Sequence, residues 1–219
     1  MTAQPVAVRR KASRLSKRAL ILSALGVVLI AAMALDTTVI RLDSEQAAQT
    51  AGFSPQTFGQ TEFPNVQSDI ESRAVDAKTL ADAVAADKAG ATKQYAVGTG
   101  PNAVFPVKFT GIAGEPKSGI YPITVEGLPE GLLVRVQTGP AINGTELRDA
   151  TGKYVFGQFK NQIEFQNAGS ALNNAMKEAV LAQVDAANLK GKTVSVTGAF
   201  KLINPKSWLV TPVRLEVQP

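Results

Sequence analysis

Over the second half of the chain, apolar residues recur at every second position in five short runs. Phe105, Val107 and Phe109 alternate with Pro106, Lys108 and Thr110; Tyr121, Ile123 and Val125 form a second run; Leu132, Val134 and Val136 alternate with Leu133, Arg135 and Gln137. Further on, Val194 and Val196 alternate with Thr193, Ser195 and Thr197, and Val213, Leu215 and Val217 alternate with Arg214 and Glu216. A period of two sends successive side chains to opposite faces, so each run predicts a β-strand with one buried face. "EPKSG" and "GLPEG", between the first three, carry the Pro and Gly of tight connections. Pro106 and Pro122 cannot donate to a ladder, which points to edges or bulges there.

Between the third and fourth strands the period lengthens to that of a helix. From about Asn161 to Ala187, Phe165, Ala168, Leu172, Ala175, Ala179 and Val180 fall on one side of the wheel. Asn173, Asn174, Lys177 and Glu178 lie largely elsewhere, and Lys190-Gly191 closes the segment. A second amphipathic helix is expected over about residues 69 to 89, where Ser68 and Glu71 form a capping box ahead of Ile70, Ala74, Ala77, Ala81 and Val84, and Gly90 supplies the stop. Residues 36 to 66 show no sustained period and read as a stalk or docking segment, leaving 67 to 219 as the folded domain. Three strands, a helix and two strands is the order of a five-stranded OB-type barrel. The fold class expected is therefore α+β: an OB-like five-stranded β-barrel with an inserted helix after the third strand, preceded by an amphipathic helix. An unrelated α+β sheet is the competing architecture, because spatial strand order is not written in one sequence.

The N-terminal part has a different character. "ALILSALGVVLIAAMAL", Ala19 to Leu35, runs 17 residues without a charge. As a helix it would cover about 26 Å against a hydrocarbon core of about 30 Å, between a long signal-peptide core and a short transmembrane anchor. Arg9, Arg10, Lys11, Arg14, Lys17 and Arg18 precede it. Such flanking cations hold residues 1 to 18 in the cytoplasm and put residues 36 to 219 outside it, in a single-pass arrangement. Ala32-Met33-Ala34 has the small-x-small form of a cleavage site, so a removable signal peptide and a secreted product form the alternative. The length of the run favours an uncleaved anchor.

That tail also accounts for the net charge of +5, because no acid occurs before residue 36. The remaining chain carries 17 Lys and Arg against 18 Asp and Glu, a balance of −1. A near-neutral domain lacks the cationic footprint of sequence-independent phosphate binding, so nucleic acid is not the expected partner. The chain has no His and no Cys. Thiol nucleophiles, disulfides, imidazole acid–base catalysis and zinc sites with those ligands are thereby excluded, and no catalytic residue, metal or cofactor is expected.

"GPAINGTELRDATGKYVFGQF", Gly139 to Phe159, is the most specified connection. Gly139-Pro140 must end the third strand, and "DATG" at 149 to 152 fits a type I turn. Arg148 and Asp149 could be functional, with Arg148 binding an anionic ligand in a bidentate way. The favoured reading is that Arg148 bonds loop carbonyls and Asp149 caps a turn, with Phe156 and Phe159 packed on the barrel's end. Candidate binding residues are Arg148, Asp149, Asn161, Gln162 and Trp208, the last as a sugar-stacking or interface side chain for which barrel packing is the stronger reading.

The corner sequence together with "VTGAFKLINPKSWLVTPVRLEV" resembles a bacterial domain-of-unknown-function family of predicted periplasmic lipoproteins. The resemblance spans most of residues 36 to 217. It is most specific in the Gly-Pro…Gly-Thr-x-x-Arg-Asp-Ala motif, the run at 159 to 162 and Thr-Pro-Val-Arg-Leu-Glu at 211 to 216. It implies an OB-like barrel, an extracytoplasmic location and genes commonly neighbouring simple-sugar ABC transporters. This chain departs from the lipoprotein pattern in lacking a lipobox cysteine, which leaves residues 19 to 35 as its membrane attachment. The expected function is a membrane-anchored binding or scaffolding protein accessory to sugar uptake, with a permease, a solute-binding protein or a saccharide as partner. The rivals are an oligonucleotide- or oligosaccharide-binding OB domain and a carboxylate-dependent hydrolase using acids such as Asp149 and Glu164.

Overall fold

The structure is a computed structural model describing residues 52–218. Helix α1 (Pro55–Arg73) is followed by a two-residue strand β1 (Val75–Asp76) and by helices α2 (Ala77–Ala86) and α3 (Lys88–Tyr95). Then come β2 (Val104–Ala113), β3 (Ile120–Thr124), β4 (Leu133–Gln137), a single turn α4 (Glu146–Asp149), α5 (Gln162–Ala179), β5 (Thr193–Lys201) and β6 (Ser207–Val217).

The five long strands close into a barrel in the order β2-β3-β4-β6-β5, with β5 returning to β2. The seam is the antiparallel β2–β5 ladder, in register from Val104 opposite Lys201 to Ile112 opposite Thr193. β4 and β6 pair in parallel, Leu133 opposite Ser207, and the remaining contacts are antiparallel. Inward side chains of the period-two runs fill the interior: Phe105, Tyr121, Val134, Val194 and Leu215 are all buried, joined by Phe200 and Trp208 farther along β5 and β6. The OB-like α+β expectation therefore holds, and the unrelated open sheet does not.

The prolines are where the edge expectation fails. Pro106 and Pro122 lie inside paired segments, opposite Ala199 and Arg135. A strand residue directs its N–H to one flank only. The β2–β3 pairing ends opposite Pro122, whose carbonyl still accepts from the Gly114 N–H at 2.8 Å, so the proline costs only the reciprocal bond at the last position of that short ladder. The outer flank of β2 near Pro106 meets only the two-residue β1.

The N-terminal helical region also differs from its expected limits. Ser68 and Glu71 lie in the interior of α1, which starts 13 residues earlier, at Pro55, where the Ser54 hydroxyl accepts from the Thr57 N–H at 3.4 Å. The stretch read as a stalk is thus helical from Pro55 onward, with Phe63 and Val66 buried; residues 1–51, including the apolar run 19 to 35, lie outside the described residues. The continuous helix over 69 to 89 is broken twice. Asp76 accepts from the N–H groups of Lys78 and Thr79 and starts α2, and Asp87 accepts from Ala89 and starts α3. Gly90 lies within α3 instead of ending a helix. A capping-box pattern shows only that a start would be stable there, and the two aspartates make competing starts that the fold uses.

α1 crosses α5 at Gly59, where an added Cβ would come within 2.5 Å of the Ala171 carbonyl oxygen. Gly59→Ala is expected to lose about 1–3 kcal/mol, because separating two packed helices outweighs alanine's helix-propensity gain of about 1 kcal/mol. Denaturant unfolding followed by far-UV circular dichroism measures the difference. α5 itself ends at Ala179, eight residues before the expected limit. There the buried Tyr121 hydroxyl donates to the Ala187 carbonyl at 2.6 Å and holds the departing chain against the barrel.

Candidate binding site

The corner is built by the loop after β4, by α4 and by the start of α5. Asn173, expected on the polar side of α5, is buried. Its Nδ2 donates to the carbonyls of Ile142 (3.1 Å) and Gly144 (2.8 Å), pinning the loop to the helix. Arg148 is 7% exposed. Its Nε donates to Asp149 Oδ1 at 2.8 Å, one terminal nitrogen donates to the Phe165 carbonyl at 2.9 Å, and the guanidinium carbon lies 3.5 Å from the centroid of the Phe165 ring. Asp149 Oδ2 accepts from Thr145 Oγ1 at 2.7 Å and pairs with Lys201 Nζ at 3.0 Å, while Lys201 Nζ also donates to Thr145 Oγ1 at 2.7 Å. Burial by itself would raise the Asp149 carboxyl, but hydrogen bonds from Arg148, Thr145 and Lys201 and the Arg148 charge outweigh it and hold the group below the usual carboxylate range. Gly152 N–H donates back to the Asp149 carbonyl at 3.2 Å, closing the turn expected of "DATG".

Two openings adjoin this network. A corner cavity of about 370 Å³ is lined by Val97, Asn102, Thr145, Arg148, Asp149, Tyr154, Phe165 and Lys201. A larger groove of about 880 Å³ runs beside it between α3 and the β5–β6 hairpin, and Gly98 belongs to both walls. The groove presents Ala89, Thr92 and Ala96 on one side, Leu202 and Ile203 on the other and Phe105 beneath, with Lys88 and Lys93 among its lining and no acidic side chain. Around the corner, Val155, Phe156 and Ile163 are exposed apolar side chains.

The family model described as "Predicted periplasmic lipoprotein (DUF2291)" matches residues 25–216. The chain belongs to this family. No curated protein matches it. Among solved structures, an OB-fold protein of Thermotoga maritima MSB8 (TM0957, crystal structure at 1.90 Å resolution) is similar with a TM-score of 0.60 and 20% identity, over 76% of this chain and 99% of that one. At that identity the likeness shows the fold. Membership of the DUF2291 family indicates an extracytoplasmic, membrane-attached protein. Among the described residues, no helix is long and apolar enough to cross a membrane.

Of the residues singled out from sequence, this DUF2291 member brings Arg148 and Asp149 together, and as a structural pair. Asn161 is the N-cap of α5: its Oδ1 accepts from the Glu164 N–H at 2.9 Å, and Glu164 Oε2 accepts from the Lys160 N–H at 2.8 Å. Gln162 is exposed at the first position of the helix. Neither lines the corner cavity. Trp208 is fully buried, stacked 4.6 Å from Phe200, and its Nε1 donates to the Pro205 carbonyl at 3.2 Å, so no face is open for a sugar ring. Phe156 and Phe159 pack on helical residues and on the segment leading into α1, not on the barrel's end: Phe156 meets Phe165 at 5.8 Å, and Phe159 meets Phe53, Phe58 and Phe165. The start of α1 brings these aromatic partners over the corner.

Sequence reasoning missed Lys201, Thr145 and Tyr154. Lys201 continues the outward alternation of β5 and so looks like any solvent-facing strand lysine. Tyr154 donates to Glu62 Oε2 at 2.8 Å, and burial followed by the Glu62 carboxylate keeps its phenol above the usual range, a neutral donor joining the corner to α1. The two acids proposed for hydrolysis are both engaged: Asp149 is held ionised by cations, which makes it a weak general base, and Glu164 closes a helix cap.

Proposed function

We propose that this protein is a recognition domain without chemistry of its own, held outside the cytoplasm by residues 19 to 35 and docked on a component of a sugar ABC uptake system. The observation that carries this reading is the contrast at the corner. Arg148, Asp149 and Lys201 are paired with one another, while Val155, Phe156 and Ile163 beside them stay 54%, 52% and 67% exposed. Paired charges next to an uncovered apolar rim are what a protein-docking surface offers, since burying the rim releases apolar area without stranding a charge. The choice of a permease or solute-binding protein as partner rests on the sugar-transport setting that the sequence resemblance implies.

Affinity capture of the full-length protein from gently solubilised membranes, read by mass spectrometry, tests the reading. A sugar permease or its solute-binding protein is expected to be enriched, and a Phe156→Ser/Ile163→Ser variant is expected to lose about tenfold of that enrichment while keeping the parent's circular dichroism. No transporter component at low salt or after cross-linking overturns the uptake reading.

A further inference from the structure

We propose that the groove between α3 and the β5–β6 hairpin docks anionic membrane lipid, with the apolar hairpin tip among the acyl chains and Lys88 and Lys93 on the headgroups; this rests on the extracytoplasmic, membrane-held reading above. The tip is Ile203, 83% exposed. It does not stand out because the loop is loose. Ile203 N–H donates to the Lys201 carbonyl (2.9 Å), Ser207 N–H to the Asn204 carbonyl (3.0 Å), Lys206 N–H to Asn204 Oδ1 (2.9 Å) and Trp208 Nε1 to the Pro205 carbonyl (3.2 Å). A five-residue connection tied at four points, presenting an isoleucine side chain to water, is pre-organised to bury that side chain in something else.

The charge around the tip says what that is. Lys88 and Lys93 line the groove, Lys206 follows the tip on the same hairpin, and among the described residues none of the three makes an ion pair. The nearest carboxylate in sequence, Asp87, is turned to its own helix, where it accepts from the Ala89 N–H at 2.9 Å. An apolar tip flanked by uncompensated ammonium groups matches the layering of a bilayer surface, acyl chains beneath anionic headgroups. The groove's volume of about 880 Å³ and its floor of Phe105 give room for part of an acyl chain. Attachment alone does not choose the face. The 16 residues between Leu35 and Gly52 reach no more than about 60 Å, which exceeds the roughly 40 Å breadth of a domain of this size. The surface chemistry must select the orientation, and this groove joins an exposed apolar tip to unpaired positive charge.

Because the chain has no cysteine, an introduced one is its only labelling site. Full-length protein carrying Ile203→Cys, or Thr110→Cys on the outward face of β2 as control, is labelled with an environment-sensitive fluorophore and placed in nanodiscs bearing a lipid-linked quencher. In phosphatidylglycerol-containing discs, strong quenching is expected at position 203 and little at 110. Each lysine near the surface contributes about fivefold to occupancy, so adding Lys88→Glu/Lys93→Glu, or using phosphatidylcholine discs, should reduce quenching at 203 at least severalfold. A label at 203 that stays in water, quenching independent of headgroup charge, or protection of 203 only by a captured protein partner would each overturn lipid docking. Failure of the chain to co-elute with the discs is a separate result, and counts against the membrane-held reading itself.

Discussion

Trp208→Ala is expected to cost the barrel about 3–5 kcal/mol, the largest single-residue effect in the molecule. The indole is fully buried and stacks on Phe200 at 4.6 Å, and Phe200 in turn stacks on Phe105 at 5.6 Å. These three rings come from β6, β5 and β2, so the stack crosses the seam that closes the barrel. Removing its end leaves a void among residues held by ladders on both sides, where collapse is limited. It also takes the donor from the Pro205 carbonyl, loosening the hairpin that presents Ile203. Trp208→Phe keeps a ring in the stack and loses the donor, so a cost of about 1–2 kcal/mol is expected. Denaturant unfolding followed by far-UV circular dichroism is the suitable measurement, because this is the chain's only tryptophan. An alanine variant within about 1 kcal/mol of the parent would mean that the stack does not hold the seam.

The barrel was legible in the sequence because each of its strands buries one face, and a buried face imposes alternation whatever its neighbours are. The inserted helix was legible for the same reason at a longer period. Pairing at the first helix was not, since the start at Ser54 and the breaks at Asp76 and Asp87 rest on single polar side chains, and Ser68-Glu71 carries an equally good local signal inside α1. The corner was half legible. The adjacency of Arg148 and Asp149 marked it, but the partners differ from those expected: Arg148 donates to a helical carbonyl, that of Phe165, and not to the loop, and the Asp149 carboxylate is held by Arg148, Thr145 and Lys201 and caps no turn. Lys201 came from 52 positions away and could be found only by folding β5 against β2, which brings the end of one strand beside the turn following another. Asn173 shows the opposite failure: a polar residue beside Asn174 was placed with the solvent face, although the loop carbonyls it serves are buried with it.

Arg148→Ala is expected to cost about 2–4 kcal/mol, somewhat below the 3–5 kcal/mol of an ion pair broken in a fully buried site, because Lys201 and Thr145 still hold Asp149. What is lost is the Nε bond to Asp149, the donor to the Phe165 carbonyl and the contact with its ring, so the start of α5 loosens from α4. Asp149→Asn separates charge from shape. The folded carboxyl titrates below its unfolded value of about 3.9, so its ionised form contributes stability that is fully present above that value and is lost as pH falls through the folded one. Parent and Asp149→Asn should therefore differ by a constant amount from about pH 5.5 to 8 and converge below about pH 4. Denaturation midpoints taken across that range decide the matter. A difference that persists undiminished in acid would place the role of Asp149 in its hydrogen-bonding shape and not in its charge. Lys201→Met should reproduce a smaller version of the same convergence, since it removes one of the two cations that keep the carboxylate ionised.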